Sequence, residues 1–390
     1  MRAQRYIFTK LSPITRFLFP KDDDNLLKYL NEDGATIEPT WYIPIIPTVL
    51  VNGSEGIGTG WSSMFPTNPR DIINNVRRFL NGEMMEPMDP WYRGFKGTIE
   101  KTATKEGGYS YTIYGIMEEI NETTLRNTEL PIRRWTQDYR EFLESLVVGD
   151  KDKTKEPFII IPKEFKQYSD DISVHFEVIL SEENMMMAKQ EGLLKKFKLT
   201  STISTSNMHL FDAKGVIKKY DTPEQILEEF FPMRLDFYEK RKKSLLDNLE
   251  VELLKLDNRV RFILGVVNGE IIVNNRKRAE LFLELQHKGF TPFPKKTKTI
   301  EAVIAGVSED SEETEDNSEN VGSREVKASD YEYLLSMAIG TLTREKVQEL
   351  CAEKDKMLDE IEGLKRLTPR DFWLKDLASL ENEIDELEKK

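Results

Sequence analysis

Two stripes of apolar residues at helical spacing, set far apart in the chain, limit what it can fold into more than any other feature. In the first, Leu235, Tyr238, Leu245, Leu249, Leu256, Val260 and Ile263 follow a three-four spacing interrupted at Lys242 and near Glu252. In the second, Val347, Leu350, Met357, Ile361 and Leu364 do the same, with Lys354 in one slot. Thr368-Pro369 then restarts a helix carrying Trp373, Leu377, Leu380, Ile384 and Leu387. Each seam is narrow and its flanks are dense in charge, so each helix must bury that seam against a partner along its length. One long helix out, a small globular region at about 265–342 and one helix back give an antiparallel coiled-coil hairpin. Ordinary amphipathic bundle helices carry the same spacing; the narrowness of the seam favours the hairpin.

At 390 residues the chain is long enough for two or three domains with cores of their own. No apolar run approaches the roughly 20 residues that cross a bilayer. No signal-peptide arrangement opens it, since "IPIIPTVLV" is internal and broken by prolines, so no membrane partner is expected. The one cysteine, Cys351, excludes an internal disulfide and suits a reducing cytosol or nucleus. His175, His209 and His287 lie far apart among apolar or basic neighbours, which reads as structural histidines rather than a zinc site. A net charge of −13 argues against a nucleic-acid partner, but the charge is uneven. Glu309–Glu319, "EDSEETEDNSE", holds seven acids and no base, whereas Leu193–Lys219 holds six lysines against Asp212. A local basic surface can hold phosphates whatever the total.

Three regions follow from the changing pattern. In 1–83 a helix is expected through "YIFTKLSPITRFLF", kinked at Pro13, then an acidic turn and a short helix over "LLKYLNED". Tyr42–Val51 reads as a buried extended run, and "PRDIINNVRRFLNGE" as a helix entered through Pro69. Over 84–222 short β-like runs ("GFKGTIEKT", "YSYTIYGIMEE", "EPFIIIPKE", "DISVHFEVIL", "MHLFDAKGVIKKY") surround a helical "LPIRRWTQDYREFLESLV", which fits an α+β domain. The helical hairpin fills 223–390. Within it the acidic stretch at about 306–329 cannot bury enough apolar surface and is expected to be disordered.

Four stretches invite chemistry. "VNGSEGIGTGW" fails both nucleotide-loop patterns: the P-loop lysine is absent, and Trp61 stands where a third glycine must be. It reads either as a flexible loop or as a loop presenting Ile57, flanked by Gly56 and Gly58, as a wedge against another surface. Asp22–Asp24 could bind magnesium, but their place after Pro20 favours capping a helix N-terminus. In "FKLTSTISTSNMHLF" a run of hydroxyls beside Lys195, Lys196 and Lys198 is either a solvated sheet face or a row of donors to phosphate. Arg5-Tyr6 alone does not separate a surface tyrosine from a nucleophile with its cation beside it.

Together these stretches resemble the eukaryotic type II DNA topoisomerases. The resemblance is carried by "RYIFT" (Arg5–Thr9), "EPTWYIPIIPTVLVNGSEGIGTGWSS" (Glu38–Ser63), "GFKGTIE" (Gly94–Glu100), "FKLTSTISTSNMHLFD" (Phe197–Asp212) and "YLLSMAIGTLT" (Tyr333–Thr343). It implies an α+β multidomain fold: a partial helical winged-helix-type domain, an α+β tower domain, and a long antiparallel coiled coil with a small helical dimerisation gate. It implies that Tyr6 attacks double-stranded DNA and becomes linked to a 5′-phosphate, with Arg5 stabilising the transition state. Ile57 matches an isoleucine inserted between base pairs. Lys198, Leu199, Thr200, Ser201, Thr202, Ile203, Ser204, Thr205, Ser206 and Asn207 match a DNA-contacting strand. A homodimer is expected through Tyr333–Leu342 and the region around 265–290, and the nucleus as location.

The family also requires ATP and magnesium. The resemblance implies that both are bound outside this chain, in an upstream ATPase and an acidic metal-binding portion. The chain then reads as the C-terminal half of a breakage-reunion core. The alternative is a non-catalytic DNA-binding and dimerising scaffold; a companion chain with the ATPase and metal motifs would separate the two.

Overall fold

Prolines set the limits of the first elements. In the computed structural model the residues described are 10–56, 60, 62–63, 65–103, 109–148, 158–159, 174–273, 276–293, 328–337 and 343–389. Of the helix expected through Tyr6–Phe19, only α1 (Thr15–Leu18) forms among them, and Lys10–Ser12 is irregular. Pro13 has no N–H to donate and disfavours the helical conformation in the residue before it. The helix expected over Leu26–Asp33 is not formed either. Tyr29–Glu32 (β1) pairs antiparallel with Ala35–Pro39 (β2), and the linking Asp33 and Gly34 have φ of 49° and 81°. Asp-Gly is the dipeptide that tolerates positive φ at both turn positions. The Asp22–Asp24 cap is also corrected: the 3-10 turn Lys21–Leu26 is entered through Pro20 with no side-chain cap bond.

Ile43, Ile45, Ile46 and Leu50 are buried as their run suggests, but the run ends in a helical turn, α2 (Val49–Asn52), closed by Gly53 at φ 72°. A two-residue ladder, β3 (Ser54–Glu55) with β4 (Ser62–Ser63), closes the glycine-rich loop. Helix α3 (Pro69–Leu80) is entered through Pro69, and Asn68 Oδ1 accepts from the Arg70 amide at 3.0 Å.

The strands that follow are β5 (Thr98–Ala103), β6 (Tyr109–Tyr114), β7 (Ile116–Glu119) and β8 (Thr124–Glu129), with α4 (Thr136–Val148) next. Then come β9 (Phe176–Ile179), α5 (Glu182–Glu191), α6 (Leu193–Lys196), β10 (Thr200–Ser204), β11 (His209–Phe211) and β12 (Ile217–Lys219). They build a sheet in the order β10-β6-β5, a sheet β7-β8-β9 and a hairpin β11-β12, all antiparallel. Leu125, Tyr139, Leu143, Phe176, Val178 and Phe197 meet in one core over the second sheet. The run 156–164 expected as a strand falls outside the described residues except at Phe158 and Ile159.

The described residues fall in two compact units. One draws on Met1–Ile43 and Arg234–Leu380, the other on Pro44–Met233 and Glu381–Lys390. In the first, the long α7 (Pro223–Val267) leads to α8 (Arg278–His287) and α9 (Glu332–Leu335), and α10 (Arg344–Arg366) runs back. Lys242 on α7 reaches the carbonyls of Lys365 and Leu367, Glu250 meets Lys365 at 3.1 Å, and Asp257 meets Lys354. Leu256, Val260 and Ile263 pack with Leu350. Contacts that descend on α10 as they ascend on α7 mean antiparallel helices. The seam's interruptions have a physical cause, since Lys242 and Lys354 are polar because each has an interhelical partner.

Thr368 and Asp371 cap each other at the start of α11 (Pro369–Glu388), with Asp371 Oδ2 accepting from the Thr368 amide at 2.7 Å and Thr368 Oγ1 from the Asp371 amide at 3.3 Å. Trp373, Leu377 and Leu380 are fully buried. Beside them lies an ion network: Asp23 meets Arg234 at 2.8 Å and Arg241 at 2.6 Å, and Arg241 meets Asp376 at 2.7 Å. Burial opposes the Arg241 charge; the bonds it donates to Asp23 and the charges of Asp23 and Asp376 outweigh it and raise its pKa. The small region between the helices has its own core, in which Leu334 packs with Phe262, Leu281, Leu285, Phe290 and Tyr331. Leu334 is 1% exposed. Leu334 thus serves the core of this region, while 338–342, 294–327 and with them most of the acidic stretch fall outside the described residues. No described helix is long and apolar enough to cross a membrane.

Candidate nucleic-acid interface

The glycine-rich loop is held at its base. Ser54 pairs with Ser63 and Glu55 with Ser62, so the loop is the tip of a minimal hairpin. Gly60 sits at φ 73°, and its amide donates to the Gly56 carbonyl at 2.8 Å. That left-handed conformation favours glycine. Below the ladder Ser63, Phe65 and Thr67 are buried, and the Thr67 amide donates to the Leu50 carbonyl at 2.6 Å. Ile57, Gly58, Thr59 and Trp61 lie outside the described residues, as do Arg5 and Tyr6.

β4 packs against β11 and against the 3-10 turn Thr205–Asn207 in which β10 ends. The loop base and the hydroxyl-rich strand are thus neighbours within one unit. Nothing in the sequence places them together, because more than a hundred residues separate them and the pairing is long-range.

Strand alternation then sorts the ten residues from Lys198 to Asn207. Leu199, Ile203 and Thr205 are buried at 0%, 7% and 2% exposure, so their side chains face the core. Thr205 is structural, its hydroxyl accepting from the Tyr109 amide at 3.0 Å. Ser201 Oγ donates to the Ile132 carbonyl at 3.2 Å, on the same inward side. Lys198, Thr202, Ser204 and Asn207 are exposed, and Thr200 is half-buried. The side chain of Ser206 is not among those described. Lys198 takes φ 52°, with its ammonium 4.4 Å from the centre of the Phe142 ring.

Charge is added by the β11-β12 hairpin, which the sequence suggests only as a strand run. Lys214, Lys218 and Lys219 are exposed on it. The one acid there is occupied: Asp212 accepts from the amides of Val216 (2.9 Å) and Lys214 (2.8 Å), and these bonds hold its carboxyl below the usual range. Phe211 and Val216 are 63% and 59% exposed beside the lysines.

A magnesium site does not fit the described residues. No three His, Cys, Asp or Glu side chains among them converge. Of the Asp22–Asp24 run, Asp23 is bound by Arg234 and Arg241 and Asp24 by Arg16 at 3.0 Å.

The family model for the DNA gyrase/topoisomerase IV A-type subunit matches residues 2–378. The chain is 62% identical over 393 aligned residues to DNA topoisomerase 2 of Arabidopsis thaliana, covering 100% of this chain and 26% of that protein. It is 42% identical over 388 to DNA topoisomerase 2-beta of Homo sapiens, covering 99% and 23%. It therefore spans about a quarter of the length of the curated relatives it matches. Among solved structures it is similar to the Plasmodium falciparum topoisomerase II DNA-binding, cleavage and re-ligation domain, with a TM-score of 0.80 and 42% identity over 98% of this chain and 49% of that one. With a family model matched over almost its whole length and such identities across it, the chain belongs to the DNA gyrase/topoisomerase IV A-type family, the type II DNA topoisomerases.

Proposed function

We propose that this chain is a breakage-reunion segment of an ATP-hydrolysing type II DNA topoisomerase. The observation that carries the reading is its likeness, over 98% of its length, to a solved domain described as DNA-binding, cleavage and re-ligation. The hydroxyl-bearing end of β10 beside the base of the glycine-rich loop supports it. In this reading 1–83 is a partial winged-helix-type domain, 84–222 a tower, and 223–390 a coiled-coil hairpin with a dimerisation gate.

The Tyr6 oxygen attacks a backbone phosphorus, the bond to the 3′-oxygen breaks, and the 3′-hydroxyl leaves with a proton. A phenol with an ordinary pKa of about 10 is a weak nucleophile at neutral pH and needs help. Arg5 supplies it by pairing with the charge that builds on phosphorus, most strongly in the transition state. One ester replaces another, so the reverse step reseals the strand without a second energy source. Ile57 wedges into a base step and bends the duplex. ATP and magnesium are contributed from outside this chain, the working form is a homodimer, and the nucleus is its location.

Plasmid relaxation and covalent-adduct assays, with the ATPase and metal-binding portion supplied, test the reading. Tyr6→Phe is expected to abolish the adduct and keep DNA binding; an adduct that survives assigns the chemistry elsewhere. Arg5→Ala is expected to slow cleavage more than it weakens binding.

A further inference from the structure

The sheet of β5, β6 and β10 has one face that the core does not use. Its register sets Thr98, Tyr114 and Thr200 in one row and Glu100, Thr112 and Thr202 in the next. Thr102, Ser110 and Ser204 form the third. Residues paired across antiparallel strands share a face, so these nine positions make one surface. The opposite face holds Tyr111, Ile113 and Ile203, all buried. On the outward face the central strand is half-buried, while Thr98, Thr102, Thr202 and Ser204 are exposed.

Eight of the nine positions carry a hydroxyl, and none carries a cation. The ninth, Glu100, accepts a hydrogen bond from Tyr114, whose oxygen accepts one from Thr112. The one negative charge is thus engaged within the sheet. Threonine favours strands, which explains part of the pattern. It does not explain the lack of the lysines that usually solvate such a face. β10 then runs directly into Thr205–Asn207, against the base of the glycine-rich loop.

We propose that this face, and not β10 alone, is a charge-poor extension of the duplex-binding surface, with threonine hydroxyls of the edge strands β5 and β10 donating to phosphate oxygens. The hydroxyls of the central strand donate within the sheet, Tyr114 to Glu100, Thr112 to Tyr114 and Ser110 to the Ile203 carbonyl. The proposal rests on the reading of the chain as DNA-binding. Neutral donors position a duplex without reading its sequence. Unlike lysines, they displace no counterions, so they add affinity without adding salt dependence.

The test replaces Thr98, Thr102 and Thr202, all exposed on the two edge strands, with valine in the full chain. Valine keeps the branched shape and strand preference. Binding to a fluorescent duplex is measured across a salt series. The expected result is affinity lowered by about two orders of magnitude, three hydrogen bonds at roughly 1 kcal/mol net each, with an unchanged slope of log K against log salt. The matching triple serine variant is expected to keep wild-type affinity, which separates missing hydroxyls from altered folding. Wild-type affinity in the valine variant overturns the proposal, as does a weakening accompanied by a shallower slope. If the unmutated chain binds no duplex at any salt, the DNA-binding reading itself falls and takes the proposal with it.

Discussion

Arg241 grips Asp23 with two parallel hydrogen bonds, Nε to Oδ1 at 2.6 Å and Nη2 to Oδ2 at 2.7 Å, and ties the N-terminal segment to the middle of the long helix α7. Both residues are nearly inaccessible, and the fully buried Arg234 shares the same carboxylate. Asp23→Asn would leave two buried guanidinium groups short of their counter-charge. Losing one member of a buried pair costs about 3–5 kcal/mol. Urea unfolding followed by circular dichroism is expected to show a loss of that order. A change under about 1 kcal/mol would mean that water already compensates the arginines, on the scale of an exposed pair.

Lys242 contributes in a smaller way. Its ammonium lies 2.9 Å from the Lys365 carbonyl and 2.6 Å from that of Leu367, where α10 ends and leaves acceptors unpaired. Lys242→Met keeps the aliphatic stem and removes the donor. A loss of about 1 kcal/mol is expected, with faster amide exchange confined to the last turn of α10. Uniform acceleration along the helix would point to weakened packing instead.

Those two sites show what is legible in the sequence. The apolar stripes prescribe the antiparallel helices, and the breaks in the stripes at Lys242 and Lys354 are where the helices exchange polar contacts. Asp33-Gly34 marks the hairpin Tyr29–Pro39, yet the apolar residues before it point to a helix, and that conflict hides the turn. Asp23 suits a cap by its local sequence, because its partners, Arg234 and Arg241, are remote and no local pattern points to them. Period-two alternation is enough to divide Lys198–Asn207 into inward and outward residues. The neighbouring loop base is not foreseeable in this way, since it depends on long-range packing.

Tyr220 gives the molecule an alkaline limit. Burial, then its hydrogen bond to Glu229 and the charge of that carboxylate, push its pKa up to about 12. An unfolded tyrosine ionises near 10, so the folded state keeps the proton longer. The stabilising difference is fully present below pH about 10 and is lost as the pH climbs through about 12. Thermal melts are expected to fall across that window, and Tyr220→Phe to flatten this part of the profile. An identical fall in the phenylalanine variant would assign it to other tyrosines.

Positive charge on the β11-β12 hairpin predicts a salt effect of its own. With Lys214, Lys218 and Lys219 exposed beside β4 and Asp212 engaged by backbone amides, glutamine at all three positions should weaken duplex binding. The slope of log K against log salt should drop by about 0.9 for each phosphate no longer neutralised. Lys218 is paired with Glu229 at 2.6 Å, so its own share is expected to be the smallest. A slope equal to the unmutated chain's would take the hairpin out of the interface.

The glycine-rich loop has its ends fixed by the Ser54–Ser63 and Glu55–Ser62 pairs, and the proposed wedge, Ile57, belongs to it by sequence. A wedge must push against something firm. Unstacking a base step costs a few kcal/mol, and only a supported side chain can convert that cost into a bend that brings more duplex onto the protein. Ile57→Ala, which shortens the wedge and leaves the ladder intact, is expected to straighten the bound duplex, read as lower energy transfer between dyes on its two ends. Replacing Gly60, held at φ 73° with open space around it, by valine should strain the same loop and reduce the bend without touching the wedge. If both variants bend the duplex as the unmutated chain does, the loop plays no part in deforming DNA.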